Sequence, residues 1–244
     1  MLRIFRAFRE RLRLPGGTYN YLRYALGEII LVMIGILLAV QVNSWNEHRK
    51  QQDELRLFYK SLLVDLHKDS AELLTSLSNY TELISYNQQL EQALNEPSAD
   101  LASYRRIADT FNPYLGRTFF ANLTTLHSLE STGKLELLNE KTRYALLEYR
   151  SVTAKVFHTD ELNGSIYLTK VAQYSQHYQF NTIKSTYLKR LNTISDERQF
   201  ALLLTSLIEY KTIYLSMSIN GLETLQQQVT NLISLIEQQS QSLS

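Results

Sequence analysis

The acidic residue Glu28 has the most unusual surroundings of any side chain in this sequence, because it lies at the start of an apolar segment. The twelve residues that follow, Ile29–Val40, carry no charged or hydrogen-bonding side chain. A carboxylate inside a membrane helix is costly and usually has a partner or a function. Two interpretations stay open: the helix N-terminus and the lipid headgroups stabilise Glu28, or Glu28 contacts another membrane-spanning helix.

Other residue types that carry out chemistry show no functional spacing. The five histidines include no His-x-x-x-His pair and the sequence has no cysteine, so it contains no zinc motif. It also has no phosphate-binding glycine loop and no Gly-x-Ser-x-Gly turn. We therefore predict no catalytic residues, no metal site and no cofactor, while a triad assembled from distant residues would leave no trace in the sequence.

The sixteen tyrosines are a further candidate for binding. Tyr167, Tyr174 and Tyr178 share one helical face, and Tyr210 and Tyr214 form another pair. Such rings can bind sugars, peptides or protein partners, since each offers apolar area and a hydroxyl. We favour the alternative, in which the tyrosines pack a helical bundle with their hydroxyls at its margin, and we expect no specific small molecule.

The apolar segment has the length and the flanking residues of a membrane-spanning helix. The nineteen residues Tyr24–Val42 extend about 28 Å as a helix, close to the thickness of bilayer hydrocarbon. Tyr21, Tyr24 and Trp45 lie where aromatic side chains anchor a span at its two interfaces. A cleaved signal peptide is the alternative, but its start would be shorter and a small-x-small cleavage site would follow it.

Five positions form a candidate contact seam along this segment: Glu28, Val32, Gly35, Ala39 and Asn46. They lie within about 40° of one line on a helical wheel. Gly35 and Ala39 are a small-xxx-small pair, the pattern that lets two helices approach closely. The seam predicts a contact with a second copy of the chain or with another membrane protein.

The distribution of charge predicts the orientation of the span. The first 23 residues carry six arginines and one acid, whereas residues 51–244 carry a net charge of −4. Segments rich in Lys and Arg remain on the cytoplasmic side of a membrane. We therefore predict a single-pass protein of a bacterial inner membrane, with a cytoplasmic N-terminus and a periplasmic C-terminal domain.

The N-terminal arm alternates basic and apolar residues at helical spacing. One side of the helical wheel carries its arginines: Arg3, Arg6, Arg9 and Arg13. This is typical of an amphipathic helix that lies in the anionic headgroup layer, so the lipid bilayer is an expected partner. The alternative is a topology signal whose helicity is incidental. A nucleic acid is not expected, because a dozen residues beside a membrane form a poor platform for it.

The residues after the span have the composition of long helices. Beyond residue 46 the sequence has only two prolines and four glycines, fewer breakers than strands and tight turns need. An apolar stripe with helical spacing runs from Leu55 to Ile84 and predicts a helix that ends near Asn95-Glu96-Pro97. A second long helix is predicted to open at Ser195-Asp196-Glu197, with a stripe that includes Met217.

Shorter helices are predicted between the two long ones. The first covers Thr118–Ser131 and is closed by Gly133. The next begins after Asn139 as its N-cap and is interrupted at Asn163-Gly164. Long amphipathic helices are unstable alone in water and pack antiparallel to bury their stripes.

The sequence thus predicts an all-α fold, with one N-terminal transmembrane helix followed by an elongated antiparallel helical bundle. The expected divisions are a cytoplasmic basic amphipathic arm over residues 1–20, a transmembrane helix over 21–46 and a periplasmic bundle domain over 47–244.

The segment Gly27–Lys50 resembles a family of uncharacterised single-span membrane proteins from Bacteroidota. Their signature joins Gly-Glu-Ile, Ile-Gly-Ile-Leu and Gln-x-Asn-x-Trp-Asn-Glu-x-Arg, matched here by Gly27, Glu28, Ile29, Ile34, Gly35, Ile36, Leu37, Gln41, Asn43, Trp45, Asn46, Glu47 and Arg49. A weaker similarity covers Leu129–Leu135, and His48 stands where the family often has an acid. The resemblance implies an inner-membrane protein with a periplasmic helical domain, and it supplies no catalytic residues.

Four classes of function are compatible with this organisation. We favour a non-enzymatic, membrane-anchored interaction or scaffold protein that forms a homo-oligomer or binds another membrane protein. A sensory protein would need a partner for its output, because only about 23 residues precede the span. A transport accessory subunit would place Glu28 beside a partner's proton path, and an enzyme would need a pocket with converging polar groups.

Overall fold

The computed structural model describes residues 17–116, 119–180, 194 and 196–242, with side chains described from Ala25 onward. These residues form helices and no strand, so the all-α prediction is confirmed. The helices are α1 (Gly17–Asn95), α2 (Leu101–Thr110), α3 (Thr124–Ser131), α4 (Glu140–His177) and α5 (Glu197–Gln241), with a 3₁₀ turn at Lys134–Leu137.

Helix α1 is continuous over 79 residues. No proline and only two internal glycines, Gly27 and Gly35, lie between Gly17 and Asn95, so nothing interrupts its hydrogen bonds. The helix ends two residues before Pro97, as the sequence predicts. The chain divides into two compact units, Met1–Leu55 and Arg56–Ser244.

The starts of the helices follow from their capping residues. The Asn139 side chain accepts a hydrogen bond from the Thr142 amide at 2.7 Å and caps α4. Asp196 caps α5 through the Gln199 amide at 2.9 Å. Short polar side chains at this position pair with amides that the helix itself leaves free. The predicted N-cap Asn139 is therefore confirmed, and Asp196 lies within the segment predicted to open the last long helix.

Three long helical segments pack together in the unit Arg56–Ser244. The Gln226 side chain donates to Ser70 at 3.0 Å, and Asn87 donates to the Ile208 carbonyl at 2.8 Å, so α5 runs antiparallel to this part of α1. Helix α4 is also antiparallel to α5, because Asp160 of α4 contacts Tyr214 and Ser218 in the middle of α5 while Tyr174 near the end of α4 packs on Phe200 near the start of α5. Since α1 and α4 are both antiparallel to α5, they are parallel to each other, and Tyr149 of α4 contacts Asp69 of α1. The two longest helices of this unit pack antiparallel, as predicted.

The core of this unit contains residues from α1, α2, α4 and α5. One cluster of buried apolar side chains lies around the ends of α1 and α4 and the start of α5: Leu90, Leu94, Ile107, Phe111, Tyr167, Tyr174, Tyr178, Phe200, Leu204, Leu207 and Ile208. Aromatic side chains bury large apolar areas and dominate such cores. The preferred interpretation of the tyrosines as packing residues agrees with this arrangement. Its second part is wrong for Tyr80 and Tyr214, whose hydroxyls are buried and do not lie at the margin of the bundle.

Three details of the sequence prediction are wrong. Helix α3 begins at Thr124, because Phe119–Leu123 is not helical. Helix α4 passes through Gly164 without a break, since the side chain of Tyr214 packs 3.5 Å from the position of a Cβ there. Met217 is 44% exposed, because the buried stripe of α5 passes through Leu215 and Ser218 instead.

Gly221 of α5 packs closely against Val156 of α4, and this contact makes a prediction possible. A Cβ at Gly221 would lie 2.9 Å from Val156 Cγ1, and valine has little rotamer freedom in a helix. We expect Gly221→Ala to lower the free energy of unfolding by about 1 kcal/mol. In a Val156→Ala background the same change should stabilise by about 1 kcal/mol, because alanine favours the helix. Urea unfolding in detergent, followed by tyrosine near-UV circular dichroism, measures both; the same sign in both backgrounds would contradict it.

Candidate functional site: an exposed helix face and three buried polar clusters

The apolar stretch of α1 is exposed along its length. Twelve of its large side chains are 42–63% exposed: Leu26, Ile29, Ile30, Leu31, Val32, Met33, Ile34, Ile36, Leu37, Leu38, Val40 and Val42. The stretch is long and apolar enough to cross a membrane, and none of its most apolar window is buried by the described chain. A core helix of a soluble protein would be largely buried. The exposed apolar surface is therefore typical of a helix that contacts lipid or another protein, or of a signal sequence.

Four of the five residues of the predicted contact seam are exposed. Glu28, Val32, Gly35 and Ala39 are exposed, and Asn46 is half-buried. A Cβ built at Gly35 would meet no atom within 4 Å. Packing inside the chain therefore does not require a small residue there, and the close-approach role of Gly35 and Ala39 stays a prediction.

The predicted interface anchors are described in part. Trp45 is 65% exposed, and the Arg49 guanidinium lies 5.6 Å from the centre of its ring, within the range of a cation–π contact. The side chains of Tyr21 and Tyr24 lie outside the described residues. The arm arginines Arg3, Arg6, Arg9 and Arg13 also lie outside them.

The first buried polar cluster joins α1 to the start of α3. Asp65 accepts from the Thr125 hydroxyl at 2.6 Å and the Thr125 amide at 3.0 Å. Asp69 accepts from the Asn122 amide at 2.7 Å and the Tyr149 hydroxyl at 2.7 Å. Helix α3 has no side-chain cap of its own. Asp65 therefore caps α3 from another helix, and Asp69 holds the residue Asn122 just before α3.

Burial sets the ionisation of this cluster. Asp69 is 1% exposed, and its loss of solvation raises the pKa of the carboxyl above its usual value. The hydrogen bonds from Asn122 and Tyr149 oppose that rise. Burial, with the neighbouring Asp69 charge second, raises the pKa of the Tyr149 hydroxyl. The hydroxyl therefore remains a donor, and the cluster fixes structure.

The second cluster joins α4 to α5. Asp160 accepts from the Ser218 hydroxyl at 2.5 Å and the Tyr214 hydroxyl at 3.1 Å. The hydroxyls of Tyr80 and Tyr214 lie 3.4 Å apart, which extends the cluster to α1. Burial raises the pKa of Tyr214. These bonds satisfy polar atoms that would otherwise be costly inside a bundle.

The third cluster surrounds the buried lysine Lys211 of α5. Lys211 is 1% exposed, its amine donates to the Asn112 carbonyl at 2.5 Å, and it lies 5.1 Å from the centre of the Phe111 ring. Burial lowers the pKa of Lys211 to about 8. A lysine amine without a carboxylate partner is an expensive group to bury.

The neighbouring residue Thr212 continues this cluster toward α1. Its hydroxyl donates to Glu91 at 2.5 Å and accepts from the Asn87 amide at 2.6 Å. Asn87 is fully buried, and none of the described residues donates a hydrogen bond to its Oδ1. The cluster ties the middle of α5 to the end of α1.

Two grooves lie between α4 and α5, and neither encloses converging reactive groups. The larger, about 400 Å³, is lined by polar residues over the apolar Leu232 and Leu235. The smaller, about 150 Å³, lies beside Asp160 and Ser218. Among the described residues no group of three His, Asp or Glu side chains is placed to hold a metal ion. The surface that the sequence and the structure single out is therefore the exposed apolar face of α1.

Sequence reasoning missed the three buried clusters, although a signal for them exists. Asp69 lies between Leu66 and Leu73 on the buried stripe of α1. Lys211 lies between Ile208 and Leu215 on that of α5. A polar residue at a position that periodicity assigns to the core needs a partner there, so such positions could have been identified as cluster members.

Comparison with known proteins identifies a family but no characterised relative. The profile of a family described as "Family of unknown function (DUF6090)" matches residues 28–211, which is more than half of the 244 residues. The match begins at Glu28 and includes most of the apolar stretch, all of α2, α3 and α4, and α5 as far as Lys211. No curated protein and no solved structure matches the chain.

Proposed function

The chain belongs to the DUF6090 family of unknown function, and we propose that it is a membrane-anchored scaffold protein. In this proposal the apolar stretch of α1 spans a bacterial inner membrane, and the helical unit that follows lies in the periplasm and binds protein partners. The observation that carries the proposal is that none of the most apolar window of α1 is buried by the described chain.

Two further features support this placement in the membrane, and a third supports the bacterial origin. The six arginines of the first 23 residues favour a cytoplasmic N-terminus. The exposed Trp45 with Arg49 over its ring suits the opposite membrane interface. The signature residues Gly27–Ile29 and Trp45–Glu47 support an origin among Bacteroidota.

The second candidate function is a sensory or accessory subunit that couples the periplasmic unit to a partner membrane protein. The observation that favours it is the continuity of α1 from Gly17 to Asn95. An unbroken helix transmits a displacement of one part to the next, and coupling needs a physical connection of this kind. Glu28 on the seam would then contact the partner.

Membrane insertion can be tested with charge placed in the apolar stretch. We expect the pair Ile34→Arg and Leu38→Arg to release the protein from membranes at alkaline pH, because each arginine at the centre of a span costs about 3 kcal/mol. The wild-type chain should remain with the lipid. Leu57→Arg and Leu202→Arg, exposed positions outside the stretch, are the controls and should also remain. Release of the wild-type chain would overturn the proposal.

Topology and association complete the test. A phosphatase fused after Gln241 should be active only outside the cytosol if the orientation is correct. Cross-linking in native membranes followed by purification in detergent should recover the chain with a second copy or with another protein. A strictly monomeric chain with no associated species would contradict the scaffold role.

A further inference from the structure

An aromatic–cation pair lies just beyond the end of the apolar stretch. Trp45 is 65% exposed, and the guanidinium of the exposed Arg49 lies 5.6 Å from the centre of its ring. Both residues belong to the unit Met1–Leu55 and to the signature segment Gly27–Lys50. In the proposed function the pair marks a membrane interface, and its geometry indicates which group the guanidinium meets there.

The depth of the guanidinium follows from helix geometry. Counted from Val42, the last residue of the apolar stretch, Trp45 lies about 4.5 Å and Arg49 about 10 Å farther along the helix axis. Helical side chains lean toward the N-terminus of their helix, and the contact with Trp45 shows that the Arg49 side chain reaches back in this direction. The headgroup layer extends about 5–7 Å beyond the hydrocarbon on each side of a bilayer. A span that ends at Val42 therefore places the guanidinium in the headgroup layer.

Phosphate groups are the anions that every phospholipid contributes to this layer, and a guanidinium is well suited to bind them. Its planar N–H donors form paired hydrogen bonds with two phosphate oxygens. A contact with an aromatic ring uses the face of the guanidinium, so its in-plane donors remain available to an acceptor. The ring of Trp45 also limits the rotamers of the Arg49 side chain, which lowers the entropy cost of binding.

The acids near Arg49 lie away from the position of its guanidinium. Glu47 projects about 160° from Arg49 around the helix axis. Asp53 lies on nearly the same side but one turn farther from the apolar stretch, opposite to the direction in which the Arg49 side chain reaches. His48 and Gln52 project within about 100° of Arg49, and both are exposed side chains with N–H groups. At headgroup depth this side of α1 therefore presents donors, which are complementary to an anion.

We propose that Arg49, held against Trp45, binds the phosphate of an anionic phospholipid in the leaflet where the apolar stretch ends. His48 and Gln52 are donors to oxygen atoms of the same headgroup. An anionic lipid is favoured over a zwitterionic one, because the phosphate of a zwitterionic headgroup lies beside that headgroup's own cation. The inference rests on the membrane span of the proposed function, but on neither the scaffold role nor the orientation of the span.

Trp45 makes a local test possible, because it is the single tryptophan of the sequence and its fluorescence reports on this site alone. The full chain is reconstituted into phosphatidylcholine vesicles that contain a minor fraction of phosphatidylglycerol, with one of the two lipids brominated on its acyl chains at a time. Bromine quenches tryptophan only at short range. We expect phosphatidylglycerol to associate with the surroundings of Trp45 about fivefold more strongly than phosphatidylcholine, the contribution of one basic residue near an anionic membrane surface.

Two substitutions separate a site from a general effect of charge. Arg49→Gln should reduce the ratio of the two association constants to about one. The matched control Lys50→Gln removes the same charge from the next residue, which projects about 140° from Trp45 around the helix axis. It should leave the ratio within about twofold of the wild-type value. Each variant is compared with itself in the two brominated lipids, so a change in the intrinsic fluorescence of Trp45 cancels. Equal losses in both variants would show a diffuse charge effect and overturn the site.

The outcomes also separate this inference from the proposed function. If brominated phosphatidylglycerol quenches Trp45 no more than phosphatidylcholine does, while the chain is retained in membranes at alkaline pH, the lipid site is overturned and the span stands. If millimolar inorganic phosphate abolishes the ratio, the site takes free phosphate and the lipid is overturned as its occupant. If neither brominated lipid quenches Trp45, the end of the apolar stretch does not lie at a bilayer, and the proposed function fails together with this inference.

Discussion

Replacing Lys211 with methionine is expected to raise the free energy of unfolding at pH 7 by about 1–2 kcal/mol. Lys211 is 1% exposed and has a carbonyl, not a carboxylate, as its hydrogen-bond acceptor. Methionine has a similar length and no charge to desolvate. The cost of the change is the Asn112 carbonyl that loses its donor, about 1 kcal/mol, which is smaller than the desolvation it removes.

The same residue predicts a pH dependence whose sign is opposite to that of a lysine paired with a carboxylate, because such pairing raises the pKa of the lysine amine whereas burial lowers it. Burial lowers the pKa of Lys211 from 10.5 to about 8, so between these values the unfolded chain binds more protons than the folded one. Stability therefore rises with pH in this window. The advantage of Lys211→Met over the wild type should shrink by about 2 kcal/mol between pH 7 and pH 9.5.

Urea unfolding of both proteins in detergent at several pH values measures this difference. The raised pKa values of the buried tyrosines affect both proteins equally and cancel in the comparison. Lys68→Met, at an exposed position of α1, is the control and should change stability by less than about 0.5 kcal/mol. A Lys211→Met protein that is less stable than the wild type at pH 7 would show that the amine is solvated or paired.

The sequence predicts the helices well because their ends depend on local chemistry. Asn139 and Asp196 cap their helices through amides three residues later, a pattern that can be read along the chain. Pro97 limits α1 for an equally local reason. The predicted interruption of α4 at Gly164 is wrong because a glycine weakens a helix by only about 1 kcal/mol. The packing of α4 against Tyr214 outweighs this cost.

The buried clusters could not be derived in the same way, because their members are distant in sequence. Tyr149 lies 80 residues from its acceptor Asp69, and Lys211 lies 99 residues from Asn112. Periodicity assigns Asp69 and Lys211 to the inner face of a helix, but it does not say which helix they meet. Only the packing of α1, α4 and α5 against one another provides the partners.

The exposed face of α1 presents the reverse situation. Its apolar composition from Ile29 to Val40 is readable in the sequence, and none of its most apolar window is buried by the described chain. The buried clusters complete the interior of the helical unit, whereas this face has no counterpart within the described chain. Function is therefore expected at the surface of α1, and the clusters are expected to set stability.

The Asp69–Tyr149 pair should produce the largest loss of stability among the polar residues. Asp69→Ala removes the acceptor of the buried Tyr149 hydroxyl and of the Asn122 amide. Each donor left without an acceptor costs about 1–3 kcal/mol, so we expect the free energy of unfolding to fall by about 3 kcal/mol. Tyr149→Phe removes one donor and leaves Asp69 bonded to Asn122, so a loss of about 1 kcal/mol is expected.

The double variant tests whether Asp69 and Tyr149 stabilise the protein through their mutual hydrogen bond or independently of each other. With both Asp69→Ala and Tyr149→Phe, the tyrosine hydroxyl that would lack an acceptor is itself absent, so the combined loss should be at least about 1 kcal/mol smaller than the sum of the two. Glu72→Ala, an exposed acid three residues after Asp69, controls for the removal of negative charge from α1. Additive losses would mean that the two residues stabilise the bundle independently. Asp69 would then stabilise only the segment before α3, through its hydrogen bond with Asn122. Apolar contacts, and not the Asp69–Tyr149 hydrogen bond, would hold α4 against α1.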